Sequence, residues 1–224
     1  MAKGCGIGCL VAAVVGIVLA FVVFFAIKAS IQGKVNEFTA DAPVEIEEPD
    51  ASLDDIGAAI ERFDAFREAL LKGQPVETLV LDTDDINLLL FYHPNFEEIS
   101  GSVRAELLDD ALAADVSVPL DLLAEHLPIG GGFIKGRYLN GRVTVRGMFS
   151  NGFWDLDVES IEVKEVELPE EFLSEIATSL REGLDAQTTQ NPDFEKEVEK
   201  LKSIIKEIKI EGGKLIVVPM KPAD

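Results

Sequence analysis

From Cys5 to Ile27 the chain carries no charged side chain. A helix through this run would span roughly 34 Å at 1.5 Å rise per residue, against a hydrocarbon core of about 30 Å. A secretory h-region is shorter, about 7–15 residues, and ends in a small-residue cleavage site. Here the run ends in Ile27-Lys28-Ala29, a poor processing signal. The sequence therefore predicts a short tail over 1–4 and a retained single-pass transmembrane helix over 5–27. Cys5 and Cys9 both lie at the start of the run, and no charged and apolar segment precedes Cys9 as a lipoprotein signal requires. Lys3 before the run and Lys28 and Lys34 after it nearly balance, so the positive-inside rule does not orient the helix by itself.

Gly4, Gly8, Ala12, Gly16 and Ala20 recur every fourth residue and form a ridge of small side chains on one helix face. Such a ridge lets two backbones approach closely, which gives one reading, a homodimer through the anchor. The other reading is the general richness of membrane helices in glycine and alanine.

The chain as a whole is acidic, with 41 acids against 20 bases and a net charge of −21. That balance excludes nucleic acid as a partner, because phosphate backbones are held by cationic faces. It also opposes adhesion to anionic headgroups, so contact with the lipid bilayer must be apolar. Residues 28–51 form a juxtamembrane segment and linker. Its second half, Ala40 to Asp50, holds Pro43, Pro49, Asp41, Glu45, Glu47, Glu48 and Asp50 with little periodicity. It is expected to be an extended, charge-repelled spacer that lifts the following domain off the bilayer.

Residues 52–224 carry the pattern of one α+β domain. Ser52 and Asp55 form a capping-box start for a helix whose apolar stripe is Ile56, Ile60, Phe63, Phe66 and Leu70, stopped by Gly73 and Pro75. Val76 to Leu81 is a short strand, and Thr83 caps a second helix that ends before Pro94. An Asp109-Asp110 turn would set Val103, Ala105 and Leu107 on one face with Leu112, Ala114, Val116 and Val118. Asn151-Gly152 is a stronger turn signal, since both central residues need φ > 0. Folding there places Val143, Val145 and Phe149 beside Trp154, Leu156 and Val158, with Arg146 opposite Asp157 and Thr144 opposite Glu159. One face is apolar and the other charged, as in an antiparallel sheet covered on one side only. The apolar parity shifts after Ser160, which suggests a bulge. Pro169 opens a third helix with Phe172, Ile176, Leu180 and Leu184 inside, and Phe194, Val198 and Leu201 mark a fourth. A final hairpin turns at Gly212-Gly213, with Ile208 and Ile210 facing Leu215 and Val217. The expected architecture is an N-terminal transmembrane helix, then a curved antiparallel sheet of hairpins with helices packed on one face.

Residues of catalytic type are sparse. His93 and His126 lack a second ligand at metal spacing and suit solvated or capping roles, so no metal and no cofactor is implied. Ser150 and Ser160 lack a nucleophile elbow, no phosphate-binding loop occurs, and no residue is assigned a catalytic role. Asp82, Asp84 and Asp85 lack the glycine and terminal glutamate of a calcium loop and fit a helix start. Lys135, Arg137, Arg142 and Arg146 form the one basic stripe. It suits either a phosphate headgroup at Arg137, Arg142 and Arg146 or internal charge balance, with Asp155 and Asp157 pairing Arg142 and Arg146. Between Leu120 and Phe133, Leu122, Leu123, Leu127, Ile129 and Phe133 are too apolar for a solvated loop, and Gly130 to Gly132 make a flexible joint. The segment suits a lid over an apolar groove that Phe149, Trp154, Phe172 and Ile176 would line, or a loop folded onto the core.

Four stretches together, Thr83-Asp84-Asp85-Ile86-Asn87-Leu88-Leu89, Arg137-Tyr138-Leu139-Asn140-Gly141, Ser150-Asn151-Gly152 and Val166-Glu167-Leu168-Pro169, resemble the YpmS-like group of bacterial single-pass proteins. The arrangement is similar, more loosely, to tubular lipid-binding domains, in which curved antiparallel strands wrap a helix around an apolar groove. The likeness covers most of Val76 to Leu184, and this chain is the more acidic. It implies an extracytoplasmic domain on the cell membrane, no catalytic residues, and a lipid or other apolar ligand as partner. A structural or assembly protein of the cell envelope, acting through protein contacts, is the alternative.

Overall fold

The computed structural model describes residues 39–121, 135–164, 166–170, 173–174, 177–178 and 203–220. The expected transmembrane helix with its ridge Gly4, Gly8, Ala12, Gly16 and Ala20 lies outside the described residues. So do Leu122, Leu123, Leu127, Ile129, Phe133, His126, Phe172, Ile176 and the expected fourth helix. Among the described residues no helix is long and apolar enough to cross a membrane.

Ser52 caps helix α1 (Leu53–Leu71) through the expected box with Asp55, and Asp54 and Asp55 lie in its positive first turn. Ala59, Phe63, Phe66 and Leu70 are buried, and the chain leaves the helix through Gly73 at φ 66°. Strand β1 (Leu79–Leu81) is shorter than the Val76–Leu81 expected. Helix α2 (Thr83–Tyr92) begins at its expected cap, so the true cap lies one residue earlier. Asp82 is the N-cap in a capping box with Asp85, which leaves the Thr83 hydroxyl for another partner. A 3-10 turn (Pro94–Ile99) follows, capped by His93.

The sheet is antiparallel and built from β1, β2 (Val103–Leu107), β3 (Leu112–Pro119), β4 (Tyr138–Ser150), β5 (Phe153–Val163), β6 (Val166–Glu167), β7 (Ile205–Glu211) and β8 (Lys214–Pro219). The expected hairpin registers hold: Val103 pairs with Val116 and Leu107 with Leu112, Phe149 with Trp154 and Arg146 with Asp157, and Ile208 with Val217 and Ile210 with Leu215. Asn151 at φ 52° and Gly152 at φ 86° make the turn that was expected there. The bulge comes earlier than expected. Register shifts between Thr144 and Val145, so Thr144 faces Ser160, Val145 faces Val158, and Glu159 is the extra residue.

Strand β4 organises the sheet. One of its edges pairs with β5, while the other is shared, first by β3 and then at Phe149 and Ser150 by β7. The two hairpins on the shared edge meet tip to tip, where the Gly213 amide donates to the Asp109 carbonyl at 3.3 Å. Strand β1 then adds to β8, pairing Leu79 with Val217 and Leu81 with Leu215. After β6 the Leu168 amide returns to the Ile161 carbonyl at 2.8 Å, and helical structure begins at Glu170, directly after Pro169. The faces of α1 and α2 and the inner face of the sheet contribute to one apolar cluster, joined by Leu168, Leu173 and Ala177. The molecule is thus α+β, with a large antiparallel sheet and few helices.

Asn87 of α2 and the C-cap His93 are buried within this assembly, and Thr83 is half-buried. The Asn87 carboxamide accepts from the Ala105 amide and donates to the Ala105 carbonyl, both at 2.8 Å, and Thr83 Oγ1 accepts from the Leu107 amide at 2.9 Å. Four residues apart on one helix face, they satisfy the outer edge of β2 as a further strand would. His93 is buried between Phe63 and Phe96, with ring centroids 5.4 and 5.6 Å away, so a solvated role does not apply. Its Nδ1 accepts from the Asn95 amide at 3.1 Å, which puts the ring proton on Nε2, facing Asp64 at 3.3 Å. With both nitrogens committed, His93 is a cap. His93→Ala removes that cap and two ring contacts, and is expected to cost about 2–3 kcal/mol in urea unfolding.

Candidate functional site

The acidic segment after residue 38 is extended, as its prolines and charges suggest, but it does not stand off from the domain. It crosses the outer face of β4, β3 and β2 and ends against α2. Ala40 forms a two-bond bridge with Tyr138, at 2.8 and 2.9 Å. The Asn140 carboxamide donates to the Ala42 carbonyl at 2.9 Å, and Ser117 Oγ accepts from the Val44 amide at 3.0 Å. Ser117 in turn donates to Asn140 Oδ1 at 2.9 Å. Arg104 reaches Glu47 at 2.9 Å, and the Tyr92 hydroxyl donates to Glu48 at 2.8 Å. That carboxylate raises the Tyr92 phenol above its ordinary pKa.

Charge balance explains why the segment docks. Repulsion among its acids favours an extended chain, but Arg104 and Arg137 on the sheet attract the same acids. Arg137 holds the entry to the strap, donating from Nε to Thr39 Oγ1, from Nη2 to the Thr39 carbonyl at 2.9 Å, and from Nη1 to Asp41 at 2.5 Å. Beneath the strap Ser117 and Asn140 are 4% and 9% exposed, so this part of the sheet is buried on both faces rather than one.

The other expected headgroup residues lie on the same outer face. Arg142 bonds Asp115 with 2.9 Å contacts and also bonds Glu106; Arg146 bonds Asp110 at 2.9 Å and Glu159 at 2.5 Å. Their ion partners therefore differ from the expected Asp155 and Asp157. The acids of the β2–β3 hairpin lie nearer to Arg142, and the bulge turns Glu159 toward Arg146. Burial works against the charge on Arg142, but the hydrogen bonds it donates to Glu106 and Asp115 outweigh it and raise its pKa. The bond to Asp110 raises that of Arg146. An anionic ligand on this stripe would have to displace carboxylates. Because the Arg146 pairs are exposed, Arg146→Gln is expected to leave the urea midpoint, followed by Trp154 fluorescence, essentially unchanged.

Of the expected groove residues, Phe149 and Trp154 are described. They meet across the β4–β5 pair in a tilted contact with ring centroids 5.0 Å apart, Phe149 fully inside and Trp154 half-buried. Pairing is also tight where the acidic segment enters. At that corner Ala40 pairs with Tyr138, the Leu120 amide donates to the Arg137 carbonyl at 2.8 Å, and the Gly136 amide donates to Asp121 at 3.0 Å. Asp121 and Lys135 flank the apolar segment 122–134, which lies outside the described residues. Among the described residues no group of three or more His, Cys, Asp or Glu side chains could hold a metal ion.

Sequence reasoning did not single out Ser117, Asn140, Tyr92 or Arg104 as partners of the strap. The available signal was Ser117 itself, a short polar residue between Val116 and Val118 in a strand otherwise carrying Asp115 outward. In comparisons with family models, curated proteins and solved structures, nothing matches this chain.

Proposed function

We propose that this chain is a membrane-anchored, non-enzymatic binding domain that accepts a lipid acyl chain or another apolar ligand. The observation that carries the reading is the shared corner. The strap begins there, next to Asp121 and Gly136, the bonded residues that flank the segment carrying Leu122, Leu123, Leu127, Ile129 and Phe133. Residues 28–38 alone separate Ile27 from Thr39, a reach of at most about 40 Å, so an anchored chain holds this corner near the bilayer. Apolar contact is the mode that remains to an acidic surface whose arginines are occupied by carboxylates. The full-length chain in liposomes containing a photoactivatable fatty-acyl probe is expected to be labelled within 120–137 and around Phe149 and Trp154. Leu127→Asp with Ile129→Asp should lower that labelling several-fold. Labelling confined to residues 5–27 would count against the proposal.

A second reading, an envelope assembly protein working through protein contacts, is favoured by the far end of the β4–β5 hairpin. Phe153 is 73% exposed there and Met148 41%, on the outer face. A photocrosslinking amino acid at Phe153 that captures defined membrane proteins in cells would support it.

A further inference from the structure

The strap is seated as a bound peptide would be. Buried Asn140 and Ser117 read one carbonyl and one amide two residues apart, Arg137 and Arg104 read carboxylates on either side, and Tyr138 adds a β-bridge. Pro43 lies between the two backbone groups that are read. It has no amide to satisfy and biases Ala42 toward extended backbone, so the segment is preorganised for this face. Yet most of the strap is exposed: Asp41, Ala42, Pro43, Val44, Glu45, Glu47 and Glu48 all face solvent. Segments with few buried apolar contacts open locally at low free energy.

We infer that the outer face of β2–β4 is a receptor for an extended acidic segment and that a second copy of this chain can supply it, giving strap-exchanged pairs. The second copy carries the fitting pattern, an Asp41 carboxylate, the Ala42 carbonyl, the Val44 amide and a Glu47 carboxylate, at the spacing the receptor reads. Exchange recreates the same bonds, so its cost is confined to bringing two copies together. Anchoring in one bilayer, as proposed above, raises their effective concentration, although the receptor itself does not depend on it.

Complementation tests this with the full-length chain in liposomes. One variant carries a defective receptor, Arg137→Ala with Asn140→Ala. The other carries a defective strap, Asp41→Ala, Val44→Pro and Glu47→Ala. A mixed population can form one intact strap–receptor contact that neither variant can form alone. Energy transfer between differently labelled copies is expected to be at least about tenfold higher in the mixture than in either variant alone. Equal signals would overturn the inference. The wild-type chain gives a second measure that does not rely on the variants folding. A synthetic peptide of residues 39–50 at millimolar concentration is expected to displace the strap and accelerate hydrogen exchange at the Val44 amide about tenfold. An unchanged Val44 rate with the peptide present would also overturn it.

Discussion

Asn87→Leu is expected to lower the unfolding free energy by about 3 kcal/mol and the melting temperature by roughly 10 °C. Asn87 is 4% exposed, and its carboxamide is the partner of both the Ala105 amide and the Ala105 carbonyl. Leucine fills much the same volume but pairs neither group, and no solvent reaches that edge to compensate. The penalty comes from stranding two backbone groups more than from losing two bonds. Asn87→Asp separates the two contributions. An aspartate can still accept from the Ala105 amide but sets a carboxylate against the Ala105 and Thr83 carbonyls, so it should be at least as damaging as leucine. Thr83→Val frees only the Leu107 amide, at a part-buried site, and should cost about 1 kcal/mol. Urea titrations followed by the single tryptophan, Trp154, would order the three. A loss below 1 kcal/mol in Asn87→Leu would mean that the edge of β2 finds another partner.

The second large effect concerns Gly141. A Cβ at this position would lie 2.3 Å from the Glu162 carbonyl oxygen, which is backbone held in the β4–β5 pairing. No side-chain rotation relieves that clash, so Gly141→Ala must push two paired strands apart beside the tight turn at Lys164, where φ is 53°. A loss of about 3 kcal/mol or more, or failure to fold, is expected. Gly147 is the control on the same strand. There a Cβ would meet Leu156 Cδ2 at 2.6 Å, the end of a side chain that can turn away, and the loss should stay near 1 kcal/mol. Equal effects at the two positions would contradict this distinction between backbone and side-chain neighbours.

The contrast between these sites marks what was legible in the sequence. Local signals were sound: the Ser52–Asp55 capping box, the Asn151-Gly152 turn and the alternation in each hairpin gave helix starts and registers that the coordinates reproduce. Each depends on residues a few positions apart. The strap was missed because its contacts join Asn140 to Ala42 and Ser117 to Val44, and no periodicity encodes such distant pairs. Its acids suggested repulsion, and the cations that reverse the sign, Arg104 and Arg137, come later in the chain. Thr83 looked like a cap for the same reason, since the sequence does not reveal that Leu107 needs its hydroxyl. Sheet order was likewise invisible, because the final hairpin's place beside β4 follows from tertiary packing.

That order bears on how the protein is made. Strand β1 lies near the start of the domain, yet its partner is β8, and the far end of the β4 edge waits for β7. A ribosome must therefore release residues 205–219 before either gap can close. Until then a nascent chain exposes an unpaired edge on its longest strand, and pairing across so long a stretch of sequence is slow. The vulnerable interval in this domain's folding therefore falls between synthesis of β4 and arrival of the last hairpin.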